Sequence, residues 1–358
     1  MLDHATKGAV LAAISTALVS LPALASAETL RLLTWGGYAP DAVVEMFEAE
    51  TGHTVEVTLS NNEEMISKLR ATGGSGFDLA QPSQDRIAGP QAEFGIYKPI
   101  DLSRIDESLF IPSMLAATVA NTTVDGEVYG VPHVWGTSGL VVNTEEAGSV
   151  TDYTDLCSDE FAGNVTYRLK RPTLIGFAFA MGMDPFAAYG DEAAYTEIME
   201  KVEEALIACK GNVKTYWSGG DELLNLMRSG ETVAAMAWDT GGWKLNAENE
   251  AITFVAPESG ALGWIDTFVL PARGTADDAA YDWINFVMKP EIAAMITDNA
   301  GNFTASAGSD ALVAEDLKVR YGNSFPPEDV DNINWYPPVP AGLEAIEGAI
   351  LDRVNAAN

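Results

Sequence analysis

Beyond the first 27 residues, the apolar positions of the chain switch repeatedly between two periods. Glu28 to Thr34, ETLRLLT, predicts a short strand. The next stretch, APDAVVEMFEAETG, sets Val43, Val44, Met46 and Phe47 on one helical face, with Pro40 at its start and Gly52 just past its end. HTVEVTLS alternates as a second strand. NEEMISKLRATGG returns to a helix stopped by Gly73 and Gly74, and FDLAQPS predicts a third short strand leading to Ser83. Strands alternating with helices through short loops predict a parallel α/β sheet, in which ligands lie beyond the carboxyl ends of the strands.

The apolar run Gly139 to Val142, flanked by glycines in GEVYGVPHVWGTSGLVVNTEEAG, is too short for a helix and predicts an extended segment passing from one domain to the next. Between residues 151 and 260 the pattern restarts: NVTYRL, VKTYW and TVAAMAWD as strands, LIGFAFAMGM, AAYTEIMEKVEEALIACKG and GDELLNLMRSG as helices. LGWIDTFVLPARG, Leu262 to Gly274, is a second extended apolar segment. A helix over AAYDWINFVMKPEIAAMITDNAG, a polar tail and a final helix complete the chain. Two α/β units with two crossings between them follow from this pattern.

Length changes the picture little: 358 residues, 47% hydrophobic and 20% charged, suffice for about two domains. The first 27 residues add an address. Lys7, the apolar run Gly8 to Ala23 and small residues at Ala25 and Ala27 predict a secretory signal peptide cut after Ala27, and hence an exported protein without stable membrane insertion. A net charge of −32 disfavours nucleic acid and anionic lipid as partners and favours cationic solutes at long range, or serves solubility in a saline medium. The two cysteines, Cys157 and Cys209, predict a single disulfide in an oxidising compartment.

Candidate chemistry is aromatic and carboxylate rather than catalytic. The motifs G-x-S-x-G, H-E-x-x-H, G-x-x-x-x-G-K-[ST] and G-x-G-x-x-G do not occur, and His53 and His133 have no partner at metal-ligand spacing, so neither a metal nor a cofactor is expected. Trp35, Trp135, Trp238 and Trp264 each fall at a strand end or crossing, beside Gly or Asp. Indole faces attract ammonium groups and a neighbouring carboxylate supplies the counter-charge, as Asp239 does beside Trp238 and Asp266 beside Trp264. Asp239 serves equally as a helix cap and Asp266 as a buried hydrogen-bonding group. Trp35 and Tyr38 on the turn WGGY, and Ser83 and Asp85 after the third strand, face the same crevice. TYRLKRP runs against this trend: Arg168, Lys170 and Arg171 are either a solvated cluster or a fork of donors for an oxyanion.

With these positions in hand, the chain resembles the periplasmic substrate-binding proteins of polyamine ABC importers, the spermidine/putrescine group of solute-binding family 1. The likeness is carried in order by LTWGGYAPD, NEEMISKLRATGGSGFDLAQPS, YGVPHVWGTSGLVVN, AMAWD, GWIDTFVLPA and WINFVMKPEIAAMI, over Glu28 to Ala356. It implies a type II periplasmic-binding-protein fold of two lobes, each a mostly parallel sheet flanked by helices. Residues 28–137 plus 266–308 form the first lobe and 138–265 plus 309–358 the second, with hinge segments near 137–143 and 262–270. It further implies a periplasmic monomer that captures a small amine and delivers it to an inner-membrane permease, with contacts from Trp35, Tyr38, Ser83, Asp85, Trp238, Trp264 and Asp266. Two departures stand out. Gly36 and Gly37 replace polar or acidic residues of the family's first loop, and TYRLKRP replaces a strand that ordinarily delivers acids. The second departure predicts, as an alternative, a zwitterionic amine such as an opine, amino acid or aminophosphonate held by Arg168 or Arg171. A secreted α/β hydrolase is the remaining alternative.

Overall fold

The computed structural model describes Met1, residues 27–325 and residues 332–357, so the expected leader lies outside the described residues except for its two ends. The strand Thr29–Thr34 sits in the middle of a parallel three-stranded sheet, between Thr54–Leu59 and Leu79–Ala80. Leu30, Leu32 and Leu33 are wholly buried, which is why this run is apolar without alternation. The helix Asp41–Thr51 buries Val43 and Phe47, and Gly52 closes it at φ 80° with its N–H donated to the Glu48 carbonyl. The third strand is only two residues long; Gln81 still donates its N–H to the Leu33 carbonyl, and Pro82, lacking an N–H, comes next.

The apolar run at Gly139 belongs to a far longer strand, Val131–Asn143. This strand pairs antiparallel with Leu262–Phe268, with Ala234–Trp238 and with Ile252–Val255, and parallel strands extend the sheet beyond them. The second sheet is therefore mixed, where mostly parallel pairing was expected. Its central strand enters from the other lobe and so runs against its neighbours.

Buried side chains collect in two regions. One is built on Leu30, Phe47, Phe268, Trp283 and Ile296, with Leu33, Met65 and Leu69 nearby. The other is built on Tyr153, Tyr167, Phe177, Tyr195 and Leu206, with Trp217, Trp243 and Phe254 alongside. The two long strands feed both: Val131 and Phe268 pack in the first region, Leu140, Val142 and Leu262 in the second. Each fully buried aliphatic or aromatic side chain contributes about 1.5–3 kcal/mol, so both ends of these connecting strands are anchored.

The single helix expected after Gly274 is two helices, Asp277–Val287 and Pro290–Ala300. Pro290 cannot donate an N–H to a continuing helix and biases Lys289 to the extended region, where its ψ is 132°. After Phe303–Thr304, Ala305 still packs in the first region and Ser306 bonds to Met288; the chain then enters the second lobe, where Leu317 of the helix Glu315–Ser324 and Ile350 of the helix Leu343–Ala356 are buried. It thus crosses three times, once more than the extended apolar segments indicate. Cys157 and Cys209 are disulfide-bonded across 4.8 Å between Cα atoms, tying the end of the helix Glu192–Ala208 to the short helical segment Tyr153–Cys157.

Candidate functional site

A cavity of about 520 Å³ opens between the lobes. That is ample for a small solute. Its first wall is the turn after the strand Thr29–Thr34. Trp35 donates its indole N–H to the Gln81 carbonyl at 2.8 Å, which holds the ring on the cavity side. Gly37 sits at φ 93°, and a Cβ there would lie 3.1 Å from the Ala300 Cα, so the turn admits no other residue without strain. Gly36 faces open space.

Strand alternation decides what the two connecting strands contribute. Trp264 pairs with Gly136, Asp266 with Val134, and Trp238 with Ser138, and cross-strand partners share a face. Trp238, Trp264, Asp266 and Ser138 all line the cavity. A Cβ on Gly136 would meet the Trp264 ring at 2.6 Å, so Gly136 is what lets that indole lie flat against the sheet.

Asp266 is the chemical centre of this wall. It is 3% exposed and accepts hydrogen bonds from the Tyr38 hydroxyl at 2.6 Å and the Ser83 hydroxyl at 2.6 Å. Burial pushes its carboxyl up to about 7, against the pull of those two donors. Among the described residues it has no ion-pair partner. Asp266 raises Tyr38 in turn, adding to the larger effect of burial, so the phenol stays a donor.

The basic residues take two different parts. Arg171 is buried and pairs with Asp85 at 2.6 Å and with Glu347 at 3.0 Å, while also donating to the Tyr189 hydroxyl. Burial alone would lower the Arg171 guanidinium, but the carboxylates around it hold it well above its ordinary value. Arg86 adds an ion pair to Glu344 and stands 3.7 Å from both Asp85 and Glu63. Asp85 and Arg86 follow the third strand, whereas Arg171, Glu344 and Glu347 belong to helices of the second lobe, so the network binds the lobes together. Arg168, by contrast, has no carboxylate within ion-pair distance among the described residues; its guanidinium carbon lies 5.2 Å from the Trp238 ring and 5.5 Å from the Trp217 ring. Lys170 is exposed.

The sequence pattern of the bacterial extracellular solute-binding proteins matches residues 42–320. The chain belongs to that family. Among its curated relatives, the putrescine-binding periplasmic protein of Escherichia coli is 26% identical over 339 residues, 87% of each chain. The spermidine/putrescine-binding periplasmic protein of the same organism is 26% identical over 334 residues, 89% of each. The solved spermidine/putrescine ABC transporter substrate-binding protein of Streptococcus pneumoniae superposes with a TM-score of 0.73 at 21% identity, covering 92% of this chain and 99% of that one, which establishes the shared fold.

In this solute-binding protein the cavity gathers Trp35, Tyr38, Ser83, Asp85, Arg168, Trp238, Trp264 and Asp266 of the expected residues. It does not gather Trp135 or Asp239. Trp135 falls on the opposite face of its strand and packs against Phe303 at 5.9 Å and Trp335 at 6.3 Å. Asp239 opens the helix Asp239–Glu248 and is used up structurally, accepting from the Thr137 N–H and hydroxyl at 2.7 and 2.9 Å, the Thr240 N–H at 2.6 Å and the Asn302 amide at 2.9 Å. Sequence reasoning passed over Asn62, Glu63, Asp221 and Lys244, which also line the cavity. Glu63 had a signal: it lies in the first helical turn after the second strand, a ligand-facing place in the same topology as Ser83. His133 is wholly buried, bonded to Gln81 at 2.5 Å, and burial lowers its imidazole to about 3, so it packs as a neutral ring.

Proposed function

We propose that this chain is the periplasmic capture component of an ABC importer for a small linear aliphatic amine, the class that includes the polyamines, acting as a monomer that hands its solute unchanged to an inner-membrane permease. The observation that carries this reading is Asp266: a buried carboxylate with no ion-pair partner among the described residues, at the foot of an aromatic cavity between two lobes. An ammonium group there gains the carboxylate, the accepting oxygens of Tyr38 and Ser83 and the faces of Trp35 and Trp264. The names of the Escherichia coli relatives point the same way. Closure of the lobes around the solute then follows from its preferential contact with the closed form.

The pH dependence tests this directly. Alkyl ammonium groups remain charged throughout the range in which Asp266, poised at about 7, gains or loses its proton. Binding needs the ionised carboxylate, so affinity should fall by about tenfold for each pH unit below 7 and level off above about 8. Calorimetric titration of putrescine, cadaverine and spermidine from pH 5.5 to 8.5, with recovery of unaltered solute, checks the reading. Affinity independent of pH would remove Asp266 from the site, and consumption of the solute would make the protein an enzyme. Without solute, a carboxyl whose value is raised on folding favours the native state at low pH, so the stability Asp266 contributes is lost as pH rises toward 7, and solute binding restores it.

A further inference from the structure

We infer that the solute carries an oxyanion opposite its ammonium group, bound by Arg168, so that the preferred ligand is a linear ω-amino acid rather than a diamine. This deepens the proposed function and rests on its placement of an ammonium group at Asp266. The two poles come from well-separated parts of the second sheet. Asp266 lies on the strand Leu262–Phe268 and Arg168 directly follows Val165–Tyr167, with Val131–Asn143 and Ala234–Trp238 between them. Three inter-strand steps of about 4.8 Å and an offset of several residues along the strands separate their backbones, and side chains of both reach into the same cavity.

Arg168 is built as a receptor rather than as a partner to the protein's own acids. Its Nε is buried without a hydrogen-bond partner among the described residues, a state that is costly unless a ligand completes it. The Trp217 and Trp238 rings flank its guanidinium carbon at 5.5 and 5.2 Å, and a planar guanidinium is the donor group suited to a carboxylate met edge-on. Lys244 lines the same cavity and has no carboxylate within ion-pair distance among the described residues. The acids facing these cations are Glu63, which Arg86 approaches to 3.7 Å, and Asp221. Arg171 takes no part, because Asp85 and Glu347 already occupy it. A diamine that placed its first ammonium at Asp266 would bring its second toward a guanidinium that has no ion-pair partner among the described residues and feels only the more distant Glu63, whereas an amino acid of equal length satisfies both ends.

The test compares pairs of equal chain length, cadaverine with δ-aminovalerate and putrescine with γ-aminobutyrate, with aminopropylphosphonate as a second oxyanion. All are titrated calorimetrically into the wild-type protein and into Arg168→Gln and Arg168→Glu at pH 8. Wild type should bind the amino acid of each pair at least about tenfold more tightly, and Arg168→Glu should reverse the order. A tighter phosphonate than carboxylate would assign the pole to phosphonates within the same oxyanion class. Equal or tighter binding of the diamines by wild type overturns the inference while leaving amine capture at Asp266 standing. Failure of every amine to bind overturns both. The wild-type comparison needs no variant to fold, and circular dichroism of the variants separates a changed preference from a lost structure.

Discussion

Asp266→Asn should weaken binding of the preferred amine, diamine or ω-amino acid, by about a hundredfold or more at pH 8, because truncating one partner of a buried, hydrogen-bonded charge pair typically costs 2–5 kcal/mol. The substitution is nearly isosteric. Asn keeps one oxygen to accept from Tyr38 or Ser83, whose hydroxyls now lie 2.6 Å from the two carboxylate oxygens. The hydroxyl left facing the amide can rotate to accept, so the wall keeps its shape while the negative charge disappears. The variant should also lose the rise of affinity with pH that the wild type shows below 7, since the group responsible, poised there by burial, no longer titrates. Calorimetry at two pH values reads both effects, and an unfolding midpoint within a few degrees of wild type shows that the fold is intact. Affinity within twofold of wild type would place the ammonium elsewhere in the cavity.

Arg171→Met should destabilise the protein by about 3–5 kcal/mol, the usual loss when one member of a buried ion pair is removed and its partner stays behind. Here two partners stay behind. Asp85 and Glu347 are each buried, and Tyr195 donates to Glu347 at 2.5 Å without supplying any charge. Both carboxylates must then either ionise without Arg171 or take up a proton. Burial already raises the Asp85 carboxyl and Arg171 is the largest charge opposing that rise, so without Arg171 its acid form is favoured further in the folded state and the deficit should be larger at high pH and shrink on acidification. Chemical denaturation at pH 5 and pH 8 measures this. Arg171→Met combined with Glu347→Gln should recover part of the loss, because the amide can still accept from Tyr195 while removing one unpaired charge. A loss below about 1 kcal/mol at pH 8 would show that water reaches the network and screens it.

These two residues also mark where sequence reasoning succeeds and where it stops. The place of Asp266 on the cavity wall was legible because its neighbours are local: an apolar extended run, a tryptophan two positions earlier on the same face, and the position of that run between two lobes. The same alternation, applied to Val131–Asn143, would have sent Trp135 to the face away from Trp264 had the strand been recognised at its full length; only its Gly139–Val142 portion is continuously apolar enough to announce itself. Asp239 could not be resolved between capping and binding, since its donors, Thr137 and Asn302, come from distant parts of the chain.

The sequence by itself determined the two α/β lobes, most of the helices with their terminal glycines, the aromatic turn at Trp35 and the cysteine pair, because each rests on periodicity, on backbone freedom or on composition. Only the tertiary structure decided the charges. Arg168 and Arg171 stand three residues apart in one short basic run, yet one is enclosed by carboxylates from the third-strand loop and the C-terminal helix while the other is left open to the cavity. A charged side chain takes its meaning from what shares its low-dielectric surroundings, and those neighbours are brought together by folding rather than by spacing along the chain.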